Sequence, residues 1–140
     1  MGVPRIVLDT NVLVAGLRSR RGQAFKLLSL LGSRRFQVCI SVPMVFEYED
    51  VLAREKIGVS SEAANAVIDY LCAVARRQEV YFLWRPFLPD PKDDLVLELA
   101  VASGSAAIIT YNVRDFAGIA QLNLRALRPV EFLAELGGYP

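Results

Sequence analysis

The stretch Arg5-Ile6-Val7-Leu8-Asp9-Thr10-Asn11-Val12-Leu13 decides the fold: a short apolar run stops at an acid and passes at once into helical spacing. Residues 5 to 9 read as a strand buried on both faces, because the run is continuously apolar after Arg5 and rich in β-branched side chains. Thr10 and Asn11 then offer helix N-cap chemistry. A strand of this kind delivers Asp9 to the edge where a parallel sheet opens to a ligand.

Working outward, Val12, Leu13 and Leu17, then Phe25, Leu27, Leu28 and Leu31, keep helical spacing on either side of a basic break at Arg18 to Gly22. Gly32 stops the second of these helices. Phe36 to Ser41 is the next strand, and Ser41 followed by Pro43 signals a helix start, with an end expected near Gly58. Ser60 and Ser61 open another helix that places Val67, Ile68, Leu71 and Val74 on one apolar face down to Arg77. A third strand is expected at Val80 to Trp84. After prolines at 86, 89 and 91, Asp93 to Ser103 reads as helix ended by Gly104, followed by strands at Ala107 to Thr110 and Leu124 to Leu127. Pro129 starts a last helix closed by Gly137 and Gly138. Strands alternating with helices predict an α/β sandwich with a mostly parallel sheet.

With 140 residues, 54% of them hydrophobic, the chain suits one compact domain over residues 1–140. No apolar run approaches the roughly 20 residues that cross a bilayer, and residues 1–5 lack the regions of a signal peptide. The expectation is a soluble, cytoplasmic protein with no membrane association. Cys39 and Cys72 stand at unrelated spacing in apolar surroundings and read as buried free thiols. The absence of histidine excludes Ser-His-Asp and Cys-His nucleophilic chemistry, His-ligated zinc and imidazole acid/base catalysis. Any catalysis rests on carboxylates, Lys, Tyr, Ser or Thr.

Carboxylates recur beside strand ends and helix starts. Asp9 ends the first strand, where a helix cap accounts for it as well as a ligand role does. Asp115 falls in the loop after the strand at 107–110, where it serves equally as an N-cap for a short helix around Phe116. Asp90, Asp93 and Asp94 open a helix, and capping absorbs at least two of them. Glu47, Glu49 and Asp50 lie in the helix after Ser41; on a helical wheel Glu49 is nearer the apolar face, and periodicity alone leaves the choice open.

Several carboxylates converging in one crevice cannot all stay ionised without compensation. A divalent cation supplies it, and Mg²⁺ suits an all-oxygen site shared with substrate phosphates. The net charge of +1 gives no general basic field. Arg18, Arg20, Arg21 and Lys26, shortly after Asp9, would hold a phosphate backbone locally, although a solvated charged face explains such a cluster too.

These residues resemble the PIN-domain ribonucleases along nearly the whole chain, with closest similarity to the VapC-like toxin components of toxin–antitoxin pairs. Leu8-Asp9-Thr10-Asn11-Val12-Leu13 is similar to the family's first motif and Thr110-Tyr111-Asn112-Val113-Arg114-Asp115-Phe116 to its last. Ser41 followed six residues later by Glu47 resembles the segment carrying the second acid, and Asp93, eleven residues before Gly104, aligns with the third. Pro129-Val130-Glu131-Phe132-Leu133 is similar to the closing helix.

The resemblance implies a three-layer α/β/α sandwich with a central five-stranded parallel sheet and Mg²⁺- or Mn²⁺-dependent hydrolysis of RNA phosphodiester bonds, leaving a 5′-phosphate and a 3′-hydroxyl. By position Asp9, Glu47, Asp93 and Asp115 would bind metal, Thr110 and Asn112 would orient them or a water, and Asn11 would support the first. A cognate antitoxin and a homodimer follow as partners, the apolar helix from Ser61 to Arg77 offering a dimer face. Tyr111-Asn112 departs from the Gly-Asp common in the subgroup, which bears on metal affinity. Two other classes compete. A PIN-like domain that binds RNA or protein without cleaving is opposed by the presence of all four acids. A phospho-acceptor signalling domain needs a pair of acids after the first strand and a lysine after the last, where this chain has Val7-Leu8 before Asp9 and Leu127-Arg128-Pro129.

Overall fold

β1 (Arg5–Leu8) is the middle strand of a five-stranded parallel sheet of order β3-β2-β1-β4-β5, seen in a computed structural model that describes residues 2–80 and 87–137. Ile6, Val7 and Leu8 are fully buried, as a central parallel strand covered on both faces requires. Burying each such side chain stabilises the fold by about 1.5–3 kcal/mol.

From β1 the chain runs through α1 (Thr10–Arg18) and α2 (Gln23–Ser29) to β2 (Gln37–Ile40), and through α3 (Val42–Leu52) and α4 (Ser61–Val74) to β3 (Arg76–Arg77). It then crosses back by α5 (Pro91–Ser103) to β4 (Ala107–Ile109), continues to β5 (Arg125–Leu127), and ends in α6 (Pro129–Glu135). β1 pairs with β2 at Ile6–Val38 and with β4 at Leu8–Ile109. Strand order therefore reverses between β1 and β4, which opens a crevice beyond their carboxyl ends. Helices flank the sheet in a three-layer α/β/α arrangement: α2 packs on α1 and α6, α3 on α4, and α5 lies across β1, β2 and β4.

Local chemistry sets the element ends. The Ser41 hydroxyl accepts from Met44 N at 3.3 Å and the Ser60 hydroxyl from Ala63 N at 3.1 Å, so both serines cap helices as their spacing predicts. Gly104 terminates α5 at φ 68°, a conformation that only glycine adopts without penalty. α3 stops at Leu52, and a 3₁₀ turn over Glu55–Ile57 carries the chain to Gly58.

One expectation is corrected. Arg76 and Arg77 do not extend α4; they form β3, pairing with Cys39 and Ile40. The strand placed at Val80 to Trp84 falls mostly outside the described residues, and Val80 itself is not in a strand. The apolar face of α4 is core, since Ala64, Ile68 and Leu71 are buried. Cys39 is buried and Cys72 half-buried, both as free thiols. Among the described residues no helix is long and apolar enough to cross a membrane.

Candidate metal centre

Asp9 sits one residue beyond β1 and caps α1, so the N-cap is Asp9 itself rather than Thr10 or Asn11. Its backbone N–H donates to the Ile109 carbonyl at 2.9 Å, which holds the residue against β4 after the strand has ended. Its carboxylate receives three donors: Thr10 N to Oδ1 at 2.8 Å, the Thr110 hydroxyl to Oδ2 at 2.8 Å, and Asn11 Nδ2 to Oδ2 at 3.2 Å.

The donors are themselves anchored. Asn11 Nδ2 also lies 3.2 Å from Thr110 Oγ1, Asn11 Oδ1 accepts from Tyr111 N at 3.1 Å, and Thr110 Oγ1 accepts from Asn112 N at 3.0 Å. A fully buried threonine thus links the ends of β1 and β4. Burial raises the Asp9 pKa; the bonds from Thr110, Thr10 and Asn11 oppose it, and the charge of Asp115 adds to it.

α5 sorts its three acids into different tasks. Asp90 is the N-cap, accepting from Lys92 N at 2.9 Å, and Asp94 is buried with Oδ1 accepting from Leu88 N at 3.0 Å. Asp93 has no such partner among the described residues and is the surplus acid. Its pKa is pushed up to about 7, first by desolvation and then by the charges of Asp9, Asp115, Asp90 and Asp94.

Glu47 is half-buried on α3, whereas Glu49 is exposed. Burial raises the Glu47 pKa, Lys92 lowers it, and Asp50 and Asp9 raise it while Arg54 lowers it. Asp115 is exposed within a 3₁₀ turn over Val113–Phe116 rather than capping it. Its backbone N–H bonds the Asn112 carbonyl at 3.0 Å.

Glu47, Asp93 and Asp115 are therefore brought within electrostatic range of Asp9, but among the described residues no three acids or cysteines close to ligand distance. Asn112 reaches the network through its backbone, with its side chain exposed. Arg18, Arg20 and Arg21 are exposed and Lys26 is half-buried. α1 rises about 13 Å along its axis, which sets Arg18 at the end of the helix opposite Asp9.

Two residues escaped sequence reasoning. Lys92 acts on Glu47 from α5, signalled only by its place beside Asp93. Tyr48 is fully buried and donates its phenol to the Leu8 carbonyl at 2.6 Å, for which no local pattern gave notice.

The donor set fits a hard divalent cation. It is made of carboxylate oxygens, and the charges that act most on Asp93 are all negative. Cations that compete on chemical grounds, such as zinc, favour the His and Cys ligands that this site lacks.

Residues 5–114 match the PIN domain family. No curated protein matches the chain. Solved structures do, among them VapBC2 from Rickettsia felis bound to a DNA fragment from their promoter. That match has 17% identity and a TM-score of 0.62, and covers 87% of this chain and 98% of the other. At such identity the likeness is one of fold.

Proposed function

The chain belongs to the PIN-domain family, and on that premise we propose that it is a metal-dependent endoribonuclease acting as the toxin of a toxin–antitoxin pair. The observation that carries this reading is the Asp9 carboxylate, held by three donors at the β1–β4 switch point and within electrostatic range of three more acids. Asp9, Glu47, Asp93 and Asp115 would hold Mg²⁺ or Mn²⁺. When bound, the cation supplies Lewis-acid activation of water and of the phosphoryl oxygen.

The chain's own residues do the rest. Thr110 and Asn11 keep Asp9 Oδ2 oriented, and the backbone of Asn112 holds the Thr110 hydroxyl in place. Burial raises the pKa of Glu47 and of Asp93, so the ionised form of each gains from a cation beside it. Arg18, Arg20, Arg21 and Lys26 would bind backbone phosphates of the RNA at a distance from the acids.

Cleavage of labelled RNA with Mg²⁺ or Mn²⁺ tests the proposal. Wild type should cut and Asp9→Asn should not, with products bearing a 5′-phosphate and a 3′-hydroxyl. Binding without cleavage across metals and substrates is the outcome expected of a silent RNA-binding domain, and sinks the enzyme reading. The toxin role draws support from the fold shared with the VapBC2 structure. It predicts cytoplasmic growth arrest on expression, relieved by a cognate antitoxin, and a homodimer by light scattering.

A further inference from the structure

We propose that Tyr48 is a positioning residue of the metal site, its buried phenol tying the end of β1 to α3 and so setting the spacing between Asp9 and Glu47. The proposal rests on the reading of Asp9 and Glu47 as metal-binding acids.

Geometry carries it. Pro4 O accepts from Gln37 on the β2 side and Arg5 O accepts from Ala106 on the β4 side, so strand alternation turns the Leu8 carbonyl toward β2. The pairing of β1 with β2 covers Arg5 and Ile6, so the ladder does not account for the Leu8 carbonyl. The Tyr48 hydroxyl takes that place at 2.6 Å. Both residues are fully buried, so water cannot substitute. The two ends of this bond adjoin the two acids: Leu8 precedes Asp9, and Glu47 precedes Tyr48. The phenol is thus a polar tie between α3 and the strand that presents Asp9.

Supporting groups behind metal ligands typically change affinity 10–100-fold when removed. Titration of the purified protein with Mn²⁺ by calorimetry should show such a loss for Tyr48→Phe, with cleavage restored by raised Mn²⁺. Tyr70→Phe is the control, because Tyr70 also donates its phenol to a carbonyl, Leu31 O at 3.0 Å, away from the acids. It should leave Mn²⁺ affinity unchanged. Tyr48→Met, which refills the space flexibly without a donor, gives a second phenol-free variant should Tyr48→Phe fail to fold. Wild-type affinity in a folded Tyr48 variant, alongside loss in Asp9→Asn, overturns the positioning role alone. No Mn²⁺ binding by wild type overturns the metal reading and the positioning role with it.

Discussion

The Thr110 hydroxyl donates to Asp9 Oδ2 at 2.8 Å across 101 residues of sequence, joining the carboxyl ends of β4 and β1. One side chain therefore orients the first acid and locks the two strands between which the sheet order reverses. Thr110→Val keeps the shape and removes the donor, leaving Asn11 and Asn112 without their shared acceptor. We expect a stability loss of about 1.5–3 kcal/mol, as for a hydrogen bond to a charged group. Metal affinity should fall on the order of tenfold or more, and Thr110→Ser should recover most of it. Urea melts and Mn²⁺ titrations measure the two effects separately.

Glu47 is half-buried and feels the charge of Asp9, and Glu49 is exposed. Glu47→Gln should reduce cleavage on the order of 100-fold, as the loss of a carboxylate that holds the activating cation does. Glu49→Gln, at an exposed position, should change stability by less than about 0.5 kcal/mol and leave the rate intact. Equal losses in both variants would remove Glu47 from its assigned place.

Desolvation and the charges of neighbouring carboxylates push the Asp93 pKa up to about 7 in the folded chain, from an ordinary 3.8. The folded state then binds more protons than the unfolded state between those values, so stability falls as pH rises through the interval. The contribution is most favourable below the unfolded value and is lost above the folded one. In metal-free buffer, the melting temperature of Asp93→Asn should gain on wild type from roughly pH 5 to roughly pH 8. Saturating Mg²⁺ should shrink that gap. Parallel melting profiles without metal would contradict the charge cluster.

The basic group makes a salt-dependent prediction. Replacing Arg20 or Arg21 with Gln should lower the log–log salt slope of single-stranded RNA binding by about 0.7 for each phosphate no longer neutralised. The cleavage rate at saturating RNA should hold. Filter binding across salt concentrations is the check, and an unchanged slope would assign these residues to solvent.

Ser41 caps α3 through its hydroxyl at 3.3 Å, the long end of such bonds. Ser41→Ala should cost about 0.5–2 kcal/mol in urea unfolding, nearer the lower value. Because the cap anchors the helix that carries Glu47 and Tyr48, Mn²⁺ affinity should weaken alongside. A destabilised variant with wild-type affinity would separate the cap from the site.

Much of the fold was legible because it is written in local chemistry. The apolar run of β1, the serine caps at 41 and 60, and the glycine stop at 104 each act within a few residues. β3 was not legible. Two exposed arginines have no apolar or alternating signature, and they form a strand only because β2 presents a free edge beside them. Residues 76 and 77 therefore looked like the end of a helix.

The site divides in the same way. By itself the sequence determined that an acid would end the first strand, that further acids would stand at helix starts, and that without histidine any catalysis would rest on side chains such as carboxylates. Local pattern could not say which of Asp90, Asp93 and Asp94 was surplus, and only the resemblance pointed to Asp93, because capping and burial depend on Lys92 N and Leu88 N as they lie in space. Nor could it pair Asp9 with Thr110, or Leu8 with Tyr48. Those bonds span the sheet, and only tertiary packing decides which buried polar groups meet, since each must find a partner once water is excluded.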